Sequence, residues 1–223
     1  EAGIDQYSHV LHLGAGVGTV CQLLIETFGC KATGVVMVEP LLQHCVYEDD
    51  RVEYLHARIT ELPFEAGTFS HVLIECRCIA ISDLEAVFAV AKQMLEPGGQ
   101  LIVNEPVLSS GSSLPNIIGR MVGETRINEV LQQRNAMEIG IEITTAGFDM
   151  IESRSEPEVI ERLHQKMKQI SMMLKMALRF SSFDPYSEEF PFKKKDLLKA
   201  LDEVKTALGD ETFAWHSWRA TPN

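Results

Sequence analysis

Three glycines at alternate positions, Gly14, Gly16 and Gly18, end one apolar run and open an amphipathic one. Glycine permits a tight turn and lets backbone come close to a ligand, while the start of a helix offers N–H groups with no partner of their own. His9 to Leu13, before the loop, reads as a buried strand. Val17 to Phe28, after it, carries apolar residues at helical spacing (Val20, Leu23, Leu24, Phe28) and stops at Gly29. Strand, glycine loop and helix in that order suit a nucleotide-like cofactor at the carboxyl ends of the strands, where strand order reverses. The spacing is G-x-G-x-G with Thr19 following, so the third glycine of the dinucleotide fingerprint is missing and NAD or FAD is disfavoured. Glu39 lies at the end of a second apolar run, about 20 residues past the loop, where a carboxylate can accept both hydroxyls of a ribose.

The other reactive side chains say less. His12, His44, His56, His71 and His164 could each serve as a base, although a lone histidine is more often structural. Cys76 and Cys78, two apart on an expected strand, would point to the same face. Small buried hydrophobes are the plain explanation for them, and thiols facing a soft acceptor the rival one. The five cysteines lack the paired spacing of a zinc site, so no metal is expected and reduced thiols in a cytoplasmic protein follow.

The elements that position these residues alternate. Strands are expected at Ala32 to Val38, Val52 to Ala57, Phe69 to Ile74 and Gln100 to Asn104. Helices are expected at Leu41 to Tyr47 and Leu84 to Leu95, the second closed by Pro97-Gly98-Gly99. That rhythm implies an α/β, doubly wound parallel sheet with helices on both faces. Beyond it come a Gly/Ser connection (Ser109 to Ser113), a helix over Arg126 to Ala146 ended by Gly147, and a strand from Phe148 to Ser153. A long helix, Glu158 to Phe180, carries Met167, Met172, Met173 and Met176, residues that usually fill cores or grooves. An irregular linker (Ser181 to Phe192), a helix (Lys194 to Leu208) and an aromatic strand (Thr212 to Arg219) complete the chain.

With 223 residues, 45% hydrophobic and 23% charged, the chain fits one globular domain able to bury its own core. A formal net charge of −12 disfavours nucleic acid, whose phosphates are met by clustered Lys and Arg. No apolar run approaches the roughly 20 residues of a membrane span, and no signal peptide is apparent.

Taken together, the motifs resemble those of class I S-adenosylmethionine-dependent methyltransferases, in particular the type 11-like domains. Val10-Leu11-His12-Leu13-Gly14-Ala15-Gly16-Val17-Gly18 is similar to their first motif and Glu39-Pro40 to their acidic end of strand two. Glu61-Leu62-Pro63-Phe64, running on to Phe69-Ser70-His71-Val72, resembles the stretch leading into strand four. Leu95-Glu96-Pro97-Gly98-Gly99-Gln100-Leu101 resembles the turn before strand five, and Gly147-Phe148 the start of strand six. The resemblance implies a Rossmann-like sheet, mostly parallel, with an antiparallel last strand inserted between strands five and six. It divides the single domain of residues 1–223 into a cofactor-binding half (1–107) and an acceptor-binding half with a helical insertion (108–223). It also implies S-adenosyl-L-methionine as cofactor. Gly14, Ala15, Gly16 and Gly18 would line its methionine and ribose side, and Glu39 and Pro40 its ribose edge. Arg58 and Ile59 would stand at the adenine, and Glu75 and Cys76 at the sulfonium.

Three positions depart from the pattern. His12 and Ser70 replace acids, and Arg58, which cannot accept a hydrogen bond, stands where an aspartate often meets the adenine amino group. No residue announces itself as catalytic. The first function implied is methyl transfer to a small-molecule acceptor, with no nucleic acid or membrane partner and with room for a homodimer. The second, favoured by the replaced acids, is a protein that keeps the fold without transferring methyl, as a binding subunit or a non-methylating catalyst. Members of the family usually cover the cofactor with N-terminal helices. Here cover is expected from residues 108–122, ordering when ligands bind.

Overall fold

Three adjacent strands near the middle of the sheet, His9–Leu13, Lys31–Val36 and Phe69–Glu75, are apolar enough to be buried on both faces along most of their length. In a computed structural model describing residues 2–76, 78, 81, 83–109, 112, 134–180 and 193–223, they pair in parallel, as near-continuous apolar runs should. β1 is His9–Leu13, β2 Lys31–Val36, β3 Val52–His56, β4 Phe69–Glu75, β5 Leu95–Leu108, β6 Phe148–Ser155 and β7 Phe213–Pro222. The order across the sheet is β3-β2-β1-β4-β5-β7-β6, with β7 antiparallel to both neighbours, as expected. The strand order reverses between β1 and β4, which opens a crevice at their carboxyl ends.

α1 (Thr19–Phe28) lies between two left-handed glycines, Gly18 (φ 84°) and Gly29 (φ 71°). It starts two residues later than expected because Gly18 is held outside helical space. Its buried stripe is Cys21, Leu24 and Ile25, whereas Leu23 and Phe28 face solvent. α2 is a single turn, Glu39–Leu42, rather than a helix from Leu41 to Tyr47. α3 (Leu84–Met94) is capped by the Asp83 carboxylate, which accepts from the Ala86 amide at 2.9 Å. α4 (Ala136–Thr145), α5 (Pro157–Phe180) and α6 (Lys194–Gly209) follow.

Two further boundaries differ from expectation. β5 begins at Leu95, and the Pro97-Gly98-Gly99 turn is an irregularity inside it, accommodated between Phe69 and His71 of β4. A side chain on Gly99 would come within 2.9 Å of the Ser70 carbonyl oxygen, so the close approach needs glycine there. α4 starts at Ala136, not Arg126, because Asn135 and Glu138 form a reciprocal capping box at 3.0 and 2.8 Å. Residues 113–133, the rest of the lid segment apart from Leu108, Ser109 and Ser112, and the expected linker at 181–192 lie outside the described residues.

The larger core packs Leu11, Leu13, Val72, Ile74, Leu101 and Val103 of the sheet against α3, α4 and Trp218. A smaller one packs Val10 and Leu73 against Leu24 of α1. α5 and α6 form an antiparallel hairpin between β6 and β7, held in part by Lys175 of α5, which pairs with Asp202 of α6. No helix among the described residues is long and apolar enough to cross a membrane.

Candidate cofactor site

All the candidate residues stand at the carboxyl ends of four adjacent strands, β3, β2, β1 and β4. The glycine loop leaves β1 with Gly14, Gly16 and Gly18 all left-handed (φ 85°, 59° and 84°), conformations that strain any residue with a Cβ. It is fastened from behind. The amides of Gly14 and Ala15 donate to the Val35 carbonyl at 3.0 and 2.8 Å, and the Gly18 amide to the Ala15 carbonyl at 2.9 Å. The loop is therefore divided in two: Gly14, Ala15 and Gly18 are buried and shape it, while Gly16, Val17 and Thr19 form its accessible crest.

Tyr54 of β3 carries the loop, and motif reasoning did not single it out. Its hydroxyl donates to the Gly18 carbonyl at 3.1 Å. Burial raises the phenol well above its ordinary value, so it remains a donor at any physiological pH. A Cβ on Gly18 would lie 2.6 Å from the Tyr54 hydroxyl oxygen, and one on Gly34 of β2 2.7 Å from its ring. The alternating Gly34 and Tyr54 on neighbouring strands were the available signal, since a glycine inside a strand marks a close approach.

One strand further out, Glu39 and Pro40 open α2 at the crevice edge, and both are exposed. Beyond them the adenine-side candidates separate. Arg58 is exposed and lies 3.8 Å from Glu61. Ile59 is only 5% exposed and packs into the main core, which leaves its backbone, not its side chain, for any contact.

On the other side of the loop, Glu75 ends β4 half-buried, and burial raises its carboxyl above the ordinary carboxylate value. Cys76 follows in a left-handed conformation (φ 53°), its amide donating to the Asn104 carbonyl of β5 at 3.0 Å. That turn ends the strand, so Cys76 is exposed while Cys78 is buried, and the two thiols do not share a face. Burial first, then the neighbouring Glu105 carboxylate, pushes the Cys78 thiol up, which makes it a poor nucleophile.

Arg134 and Glu105 were also missed. The Arg134 guanidinium, 11% exposed, donates to the carbonyls of Cys78 and Ile81, each at 2.7 Å, and to Glu142 of α4 at 3.1 Å. It thereby fixes the segment that continues from Glu75 and Cys76. Asn135-x-x-Glu138, legible as a capping box, would have freed Arg134 from the expected helix.

A family profile described as "Methyltransferase domain" matches residues 11–103, which run from β1 through the glycine loop and the crevice to β5. The matched stretch is a class I S-adenosylmethionine-dependent methyltransferase domain. The chain is 26% identical over 179 residues to the demethylmenaquinone methyltransferase of Clavibacter sepedonicus, covering 71% of this chain and 73% of that one. It is 27% identical over 161 residues to the sterol 24-C-methyltransferase of Schizosaccharomyces pombe, of which the match spans 42%. In fold it resembles the Haemonchus contortus phosphoethanolamine N-methyltransferase 2 solved with S-adenosyl-L-methionine (TM-score 0.76, 18% identity, all of this chain and 50% of that one).

In this methyltransferase domain the three departures from the motif fall in different places. Ser70 lies at the far, amino-terminal end of β4. Its hydroxyl accepts from the His9 amide at 2.9 Å and lies 2.9 Å from Nδ1 of His71, whose Nε2 meets the Ala2 carbonyl at 2.9 Å. The Ser70 change, and His71 with it, are thus removed from the crevice. His12 is buried under the loop, its Nδ1 3.8 Å from the Cys21 sulfur. Only Arg58 stands at the crevice edge. Of the candidate bases, His44 and His56 are exposed on the crevice edge of the sheet, and His164 belongs to the α5–α6 hairpin.

Proposed function

We propose that this methyltransferase domain moves a methyl group from S-adenosyl-L-methionine to a small-molecule acceptor. The carrying observation is the fastened loop, left-handed at all three glycines and flanked by the exposed Glu39. The parts fit the cofactor's methionine and ribose portions: an accessible backbone crest at Gly16 and Val17, and a carboxylate at the ribose edge. The cofactor, when bound, supplies a methyl made electrophilic by its sulfonium. The protein's own work is positional. Gly14, Ala15 and Gly18 shape the loop, Glu39 accepts the ribose hydroxyls, and the backbone of Ile59 borders the adenine. Glu75 and Cys76 form the wall beside the reacting centre, held in place by Arg134. Orientation and exclusion of water are the main requirements of an in-line displacement, so no dedicated base is needed unless the acceptor must lose a proton.

A small acceptor fits the charge of −12, which repels phosphate backbones, and it fits relatives named for quinone, sterol and amine substrates. The five free thiols fit a reducing, cytoplasmic setting. The test uses methyl-labelled cofactor with a panel of quinols, sterols and amines. Label should enter a small molecule with equimolar S-adenosylhomocysteine formed. Label confined to RNA or protein, or bound cofactor with no transfer to any panel member, would overturn the proposal.

A further inference from the structure

Away from the glycine loop, the α5–α6 hairpin and the start of β7 enclose a cleft of about 400 Å³, within the roughly 300–1,000 Å³ of small-molecule sites. It opens on the same edge of the sheet as the crevice. β4 and β5 intervene between β1 and β7, so the strand spacing alone sets it about 14 Å to the side. Four segments build it. Pro157, Ile160, Glu161 and His164 come from one face of the first turns of α5, and Leu208 and Gly209 from the end of α6. Glu211 supplies the turn, and Phe213 and Trp215, two apart and therefore on one face of β7, supply aromatic surface. The His164 ring lies so close to Gly209 that any side chain there would meet it, which locks the two helices around the cleft.

The lining decides the ligand's charge. Glu161 and Glu211 are its charged groups, and no lysine or arginine is among its described lining residues. The last carbonyls of α6 add partial negative charge. Asp210 lies beside them, its carboxyl held below its ordinary value by hydrogen bonds from the Thr212 hydroxyl and amide. The opposite, positive end of α5 is blunted, because its first residue is a proline without an N–H, flanked by Glu156 and Glu158. Carboxylates at the rim with half-buried Phe213 and Trp215 within make a surface that attracts cations twice over, through charge and through the aromatic faces.

We propose that this cleft is a second small-molecule site that binds an organic ammonium ion with an apolar body. The proposal goes beyond the methyl-transfer reading and does not depend on it. Benzyltrimethylammonium is the probe, with benzenesulfonate as its anionic counterpart. Saturation-transfer NMR on the wild-type protein should show binding of the ammonium and none of the sulfonate. In a Trp218→Phe variant, Trp215 is the only tryptophan, and its fluorescence should respond saturably to the ammonium. The double variant Glu161→Gln/Glu211→Gln should weaken the ammonium about tenfold, as expected for two exposed charge pairs, while its affinity for S-adenosylmethionine stays at the wild-type value. No transfer to the ammonium on the wild-type protein, equal transfer to the sulfonate, or an unchanged affinity in the double variant would overturn the proposal. A loss of cofactor binding in the double variant would overturn the separateness of the two sites.

Discussion

Glu75 sits where a carboxylate is uncomfortable. Burial raises its pKa above the ordinary 4.5, so the fold prefers its protonated form. The sign follows: the stability associated with that preference is present below the ordinary value and is lost as pH rises through the raised one. At pH 7 the ionised side chain weighs against folding. Glu75→Gln should therefore be more stable than the wild type at pH 7, with the gap closing as pH falls towards 4.5, and should transfer methyl more slowly. Denaturant midpoints at the two pH values check the first part. A variant less stable than wild type at pH 7 would mean that the carboxylate is held by a partner. Cys76 beside it occupies a left-handed conformation at about 1–2 kcal/mol, and such outliers gather at functional sites. Period-two alternation along a strand cannot foresee that turn, which is why Cys76 and Cys78 were expected on one face. The glycines and Glu39 were legible because their chemistry is local: positive φ at a strand end, and a carboxylate one strand over.

At the level of elements, the loop depends on contact between strands. Gly34→Ala should collide with the Tyr54 ring and the Ala15 methyl, 2.7 and 2.9 Å from the new carbon. Overpacking of this kind costs about 1–3 kcal/mol. Truncating Tyr54 to alanine in the same chain should recover part of the loss, and a double-mutant cycle that is strictly additive would contradict the contact. Arg134→Gln should lower stability by about 2–4 kcal/mol through lost charge-assisted bonds to Cys78, Ile81 and Glu142. A lower denaturant midpoint at unchanged slope reads this out. Strands were the most legible elements: β1 matched its expected range, and β2, β3, β4, β6 and β7 each shifted by a few residues at most, with β5 the exception. Helix limits were less legible. α1 reads as exposed at Leu23 and Phe28 because the sheet meets it at Cys21, Leu24 and Ile25, a choice made by tertiary contact and not by spacing.

Across the whole molecule, chemistry and architecture divide between the two ends of the sheet. His9, Ser70 and His71 knit the amino-terminal edge, while the loop, Glu39, Glu75 and the α5–α6 cleft share the carboxyl edge. The topology was legible from the order of the motifs, which places the antiparallel β7 between β5 and β6. The hairpin of α5 and α6 was legible as helices but not as a cleft, because its walls are assembled from segments about 50 residues apart. Methyl transfer by this protein requires that the crevice at the switch between β1 and β4 hold S-adenosylmethionine. Isothermal titration calorimetry of the wild-type protein and Glu39→Ala measures this directly. The wild type should bind one equivalent of the cofactor. The variant, lacking two charge-assisted hydrogen bonds, should bind roughly 30- to 150-fold more weakly. No binding heat from the wild type at millimolar cofactor, or equal affinity in the variant, would contradict it.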